Sequence, residues 1–98
     1  MQINKTVDDG KLAVALNGRL DTMTAPELEE AIKSDLETVT SAEFDFTNLE
    51  YVSSAGLRVI LSVHKILSKK EGLVVKNINE TVAEVFEATG FSDILTIE

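Results

Sequence analysis

Phe44-Asp45-Phe46-Thr47-Asn48-Leu49-Glu50-Tyr51-Val52-Ser53-Ser54-Ala55-Gly56-Leu57 is the stretch on which the fold turns. Phe44 and Phe46 share one face of a short β run over 43–47, a brief connection follows, and a helix begins whose first turn carries two serines. Hydroxyls at a helix start have two uses: they cap its free N–H groups, or they receive a phosphate that its positive dipole end favours. Both readings remain open at this level. Gly56, with no side chain, either keeps that first turn open to an approaching active site or permits close packing.

Working outward on the C-terminal side, the helix runs from about Ala55 to Lys70. Arg58, Ser62, Lys65 and Lys69 form a narrow polar stripe, while Leu57, Val59, Ile60, Leu61, Val63, Ile66 and Leu67 spread over the remaining arc. That arc is wider than packing on one sheet requires, which predicts either a neighbouring helix or a surface offered to a partner. Glu71-Gly72 closes the helix and Leu73-Val74-Val75 is a short apolar strand. Asn79 caps a third helix with Val82, Val85 and Phe86 inward, Gly90 suits its left-handed end with Phe91 against Phe86, and 94–97 forms a weak terminal strand.

On the N-terminal side, Ile3, Lys5 and Val7 alternate with polar residues, Asp9-Gly10 is a two-residue hairpin turn, and Leu12, Val14 and Leu16 resume the alternation. Asn17 to Asp21 reads as a loop. Thr24 and Glu27 then form a capping box, with Pro26 in the first turn, for a helix whose apolar face is Leu28, Ala31, Ile32, Leu36 and Val39. The order β-β-α-β-α-β-α, with a possible last strand, predicts a single small α/β domain over 1–98 with a four- to five-stranded mixed sheet.

Composition narrows function by exclusion. Ninety-eight residues suffice for one core without staples, and the chain has no cysteine and a single histidine, His64, so disulfide and thiolate-metal chemistry is excluded. Seventeen acidic against nine basic residues give a net charge of −8, which repels phosphate backbones and anionic membranes and steers the protein toward a basic patch on a partner. No signal-peptide run and no window of roughly 20 apolar residues occurs, which predicts a soluble, cytoplasmic protein. A Ser54–His64–Asp triad fails on geometry, since ten helical residues separate the two side chains by about 15 Å. Asp21, Asp45 and Glu50 lie near loops and strand ends, but nothing accompanies them that would make a metal or acid–base site, and no phosphate-cradling glycine motif occurs. No cofactor and no catalytic residue is expected.

Three separated segments carry a resemblance to the STAS family, the domain of sulfate transporter tails and bacterial anti-sigma factor antagonists. They are Gly18-Arg19-Leu20-Asp21-Thr22, the Phe44–Leu57 stretch with Arg58-Val59-Ile60-Leu61 after it, and the region from Val82 to Leu95 with Ala88-Thr89-Gly90-Phe91. The resemblance implies a sheet with helices mainly on one face. It implies a non-enzymatic switch in which the unmodified protein binds an anti-sigma factor, releasing its sigma factor, and phosphorylation on a serine at the start of the second helix abolishes binding. The partners implied are an anti-sigma factor with ATP-dependent serine kinase activity and a serine phosphatase. Matching residue by residue puts the acceptor at Ser54, with Asp21 as the acidic loop residue beside it. Where the family often has aspartate before the acceptor, this chain has Ser53, which is therefore the alternative acceptor. The partner surface implied comprises Asp21, Thr22, Ser53, Ser54, Gly56, Leu57 and Arg58. The rival reading is a scaffold subunit that docks on an ATPase, transporter or signalling complex without phosphorylation.

Overall fold

Asp9 and Gly10 both take positive φ (50° and 81°), the backbone that a tight hairpin turn requires, and join β1 (Gln2–Asp8) to β2 (Lys11–Leu20) in antiparallel register. The computed structural model describes residues 1–98. After β2 come α1 (Ala25–Ile32), a 3-10 turn (Asp35–Glu37), β3 (Ser41–Val52), α2 (Ser54–Leu67), β4 (Gly72–Lys76), α3 (Glu80–Thr89), a second 3-10 turn (Phe91–Asp93) and β5 (Thr96–Ile97). The strands form one sheet in the order β1-β2-β3-β4-β5, with every pair after the first parallel. Each parallel crossover advances one strand in the same direction, so the right-handed rule puts all three helices on one face.

The burial pattern follows that geometry. Leu12, Val14 and Leu16 on β2, Ala42, Phe44 and Phe46 on β3, and Leu73 and Val75 on β4 point under the helices and are buried. Each fully buried phenylalanine contributes about 1.5–3 kcal/mol of transfer free energy. Alternate residues face outward, where Glu43 lies 3.5 Å from Lys11 Nζ and 2.5 Å from Lys76 Nζ, and Lys76 reaches Glu98 at 3.8 Å. Hydrogen bonding to Lys76 holds the Glu43 carboxyl below its ordinary range.

Several boundaries differ from the sequence pattern for identifiable reasons. β3 does not stop at Thr47. Thr47 and Asn48 are both exposed, which breaks the alternation, but two register shifts against β2, one before Asn17 and one before Arg19, absorb the extra residues and the strand continues to Val52. β2 likewise runs on through Asn17–Leu20 instead of becoming a loop. The first helix ends at Ile32, so Leu36 and buried Val39 lie beyond it. Lys5 Nζ, reaching over from β1, donates to Ala31 O and meets Asp35 Oδ2, each at 2.6 Å, and so serves as its C-terminal cap. The Thr24–Glu27 capping box does not form, because Asp21 takes that role as described below. At α3 the expected cap is present: Asn79 Oδ1 accepts from Val82 N at 2.8 Å. The wide apolar arc of α2 packs on β3 and β4 and, at its flank, against α1 and the first 3-10 turn, leaving Ile66 45% exposed.

One residue governs how α2 sits. A Cβ on Gly56 would stand 2.7 Å from Leu20 Cγ and 2.9 Å from Val52 Cγ2, and both neighbours are fully buried. We expect Gly56→Ala to destabilise the domain by about 1–2 kcal/mol, an overpacking cost of about 2–3 less about 1 of helix propensity regained. Calorimetry should show this as a melting temperature lower by roughly 4–16 °C; an unchanged or raised value would contradict the close-contact account.

Candidate functional site

β2 ends at Leu20 and β3 at Val52, partners in parallel register, so the residues that follow each strand emerge side by side at one end of the sheet. Ser53 N donates to Leu20 O at 2.8 Å, tying the two exits together. Ser53 is extended (φ −96°, ψ 176°) and forms the N-cap of α2: its Oγ accepts from Gly56 N at 3.4 Å and its carbonyl from Leu57 N at 2.9 Å. Ser54 is the first helical residue and is exposed. Only one of the two serines therefore serves as the cap. Capping belongs to Ser53.

The exit from β2 is organised by Asp21. Its Oδ1 accepts from Met23 N at 3.0 Å and Thr24 N at 3.1 Å, and its own N donates to Thr24 Oγ1 at 2.8 Å. The Thr24 hydroxyl donates to Arg19 O at 2.7 Å, and Ala25 N donates to Asp21 O at 2.8 Å. Thr24 has no hydroxyl left for its own helix. The N–H of Thr24 above all, then that of Met23, holds the Asp21 carboxyl below the usual aspartate range, with a smaller contribution from Arg19. Arg19 Nε lies 4.0 Å from Asp21 Oδ2, and its guanidinium rests 4.6 Å from the centre of the Tyr51 ring.

Of the residues expected at the site, Asp21, Thr22, Ser53, Ser54 and Arg58 cluster at this end of the molecule with at least part of their surface open. Gly56 and Leu57 belong to the same turn but face inward. Leu57 is only 4% exposed, in the core, and Gly56 is buried where its missing Cβ accommodates Leu20 and Val52. The access role expected of Gly56 is thus corrected to a packing role, and Leu57 offers no side chain to a partner. The sequence reading misses Met23, which stands 82% exposed at the tip of the Asp21 turn. An apolar residue inside an Asp-Thr-Met-Thr turn is the available signal. His64 lies ten residues along α2 from Ser54, too far to take the proton of its hydroxyl. The arrangement presents an exposed hydroxyl on the first turn of α2.

The model of the family described as STAS domain matches residues 2–98, and the chain belongs to that family. BtrV of Bordetella bronchiseptica, provisionally named an anti-sigma factor antagonist, is 34% identical over 99% of this chain and 85% of its own length. The anti-sigma-B factor antagonist of Listeria monocytogenes is 29% identical over 96% of this chain and 84% of its own. Among solved structures, the anti-sigma factor antagonist SpoIIAA in its unphosphorylated form superposes with a TM-score of 0.84 at 21% identity, covering 99% of this chain and 88% of that one. The phosphorylated form of SpoIIAA, described as a Bacillus cell fate determinant, gives 0.76 at 20% identity, covering 99% and 91%. At such identities the structural likeness is one of fold. No helix is long and apolar enough to cross a membrane.

The division of the serines is measurable without any partner. Ser53→Ala should lower stability by about 0.5–1 kcal/mol through loss of the cap, whereas Ser54→Ala should stay within about 0.5 kcal/mol of the parent, as read by urea denaturation. Equal losses would contradict the assignment of capping to Ser53. The Asp21 carboxyl, lowered in the folded state, adds stability above its ordinary pKa of 3.8, and that contribution disappears as pH falls through the folded value. In Asp21→Asn, which retains an acceptor oxygen without the charge, the loss of stability with acid below about pH 4 should be shallower than in the parent, as urea midpoints measured against pH would report.

Proposed function

We propose that this protein is an anti-sigma factor antagonist whose binding is controlled by phosphate on Ser54. The observation that carries the reading is the split of the serine pair: Ser53 is engaged in the cap, while Ser54 stands exposed on the first turn of a fourteen-residue helix. The names of the relatives point to the same class of partner, and the two forms of SpoIIAA supply a precedent for phosphorylation on this fold. In the unmodified state, Asp21, Thr22, Met23, Ser53, Ser54 and Arg58 form the surface that meets the anti-sigma factor. The protein acts by binding. The partner's kinase activity brings ATP to the Ser54 hydroxyl, whose oxygen bonds to the γ-phosphorus as the bridge to ADP breaks and the hydroxyl proton passes to a base of the kinase. A serine phosphatase restores the hydroxyl.

Phosphate at the first helical position suits the helix, since first-turn N–H groups and the dipole favour negative charge there. It therefore leaves the fold intact while adding about −1.5 to −2 charge to a molecule that already carries −8. The added charge falls on the interface and not on the core.

Incubation with the cognate anti-sigma factor and ATP, followed by peptide mapping, should locate a single phosphate on Ser54, retained in Ser53→Ala and absent from Ser54→Ala. Titration calorimetry should find that Ser54→Glu binds at least about tenfold more weakly than the parent, about 1.4 kcal/mol. Phosphate found only on Ser53 would move the acceptor. A complex equally tight with Ser54 free, phosphorylated or replaced by glutamate would leave a phosphorylation-independent scaffold as the better reading.

A further inference from the structure

Arg58 stands one helical turn after Ser54, and both are exposed. Residues four apart on a helix face the same way, with about 5–6 Å between their Cβ atoms, and an anion preceding a cation at this spacing is the favourable order. Arg58 is in no ion pair, like Lys33, Lys65, Lys69 and Lys70 and unlike Lys5, Lys11, Arg19 and Lys76. The hydrogen bond made by Ser62 Oγ at 2.9 Å goes to the Arg58 carbonyl and leaves the guanidinium free. Arg58 borders a cleft of about 360 Å³ between the start of α1 and α2, shared with Thr22, Pro26, Glu29, Ala55 and Val59. Glu29 is the only acid lining that cleft and does not pair with it.

Resting on the reading of Ser54 as the acceptor, we propose that Arg58 is the cation for which partner and phosphate compete. Before modification, its guanidinium pairs with a carboxylate of the anti-sigma factor that enters the cleft beside Ser54. After modification, it turns onto the phosphate and is lost to the partner. Three considerations converge. A phosphate offers oxygens that match the planar fork of arginine. The helix start adds to that attraction, because its first-turn N–H groups and dipole also favour negative charge there. The one other charged residue lining the cleft, Glu29, is acidic, and Arg19 is held by Asp21 and the Tyr51 ring. Arg58 is the free cation of this surface. The modification thus acts twice, adding a negative charge and withdrawing the positive one that the partner uses.

The test installs phosphoserine at position 54 during synthesis, with no kinase involved, and follows the phosphorus resonance against pH. The second ionisation of the phosphate, ordinarily near pH 6, should lie lower in the parent, rise by about half a unit in Arg58→Ala, and largely return in Arg58→Lys. In the unphosphorylated protein, Arg58→Ala should bind the anti-sigma factor about tenfold more weakly, with Arg58→Lys intermediate. Arg58 is exposed, so each variant should melt within about 2 °C of its parent. Superimposable phosphorus titrations, or an Arg58→Ala protein that binds like the parent, would overturn the proposal. The titration reads the clasp even if no kinase modifies Ser54, so failure of the phosphorylation reading and failure of the Arg58 reading give different results.

Discussion

The first turn of α2 rests on the ends of β2 and β3 at a distance that excludes any side chain at residue 56. Leu20 and Val52 close from below against the glycine backbone, and both are fully buried, so neither has room to retreat. Everything at the functional end depends on that seat. It sets the extended Ser53 between strand and helix and brings the Asp21 turn, which leaves β2 in register with Val52, alongside the serines. A helix start displaced by one methyl group would carry Ser54 with it. The position of an exposed hydroxyl is thus fixed by packing that no partner ever touches.

Much of this is readable from residue types and spacing, where a single local interaction decides the outcome. Asp9-Gly10 names its turn because few pairs tolerate positive φ at both positions, and Asn79 names its helix start because its side chain reaches Val82 N without competition. Errors arise where two local solutions compete. Thr24 matches a capping box, but its hydroxyl serves Asp21 N and Arg19 O, and Asp21 supplies the turn in its place. Alternation in β3 fails at Thr47, yet the strand runs on to Val52 because two register shifts against β2, one before Asn17 and one before Arg19, absorb the extra residues.

The site is legible only as far as its chemistry is local. Two serines before Ala55-Gly56-Leu57 announce a helix start, but which of them caps depends on the exit angle of β3, a tertiary quantity. Gly56 is ambiguous in principle: the missing side chain that opens a surface is the same one that permits close contact, and the difference lies in Leu20, thirty-six positions away. Met23 escapes notice because an isolated apolar residue in a turn carries no periodicity. Arg58 reads as one member of a polar stripe, and only the packing of α1 beside α2 sets it on the rim of a cleft.

The uncovered face of the sheet has a consequence for alignment of the strands. Parallel neighbours have no tight turn between them to set their offset, so the offset must be encoded elsewhere. Glu43 on β3 meets Lys11 on β2 and Lys76 on β4, so charges of opposite sign stand across three adjacent strands. A slip of β4 by one residue would turn Lys76 beneath the helices and bring Val75 out into water, exchanging an ion pair for a buried ammonium. These exposed pairs contribute little to stability as such, but their alternation with the apolar row makes every slip by one residue costly. The solvent face thus shares with the core the work of holding the strands in their offset.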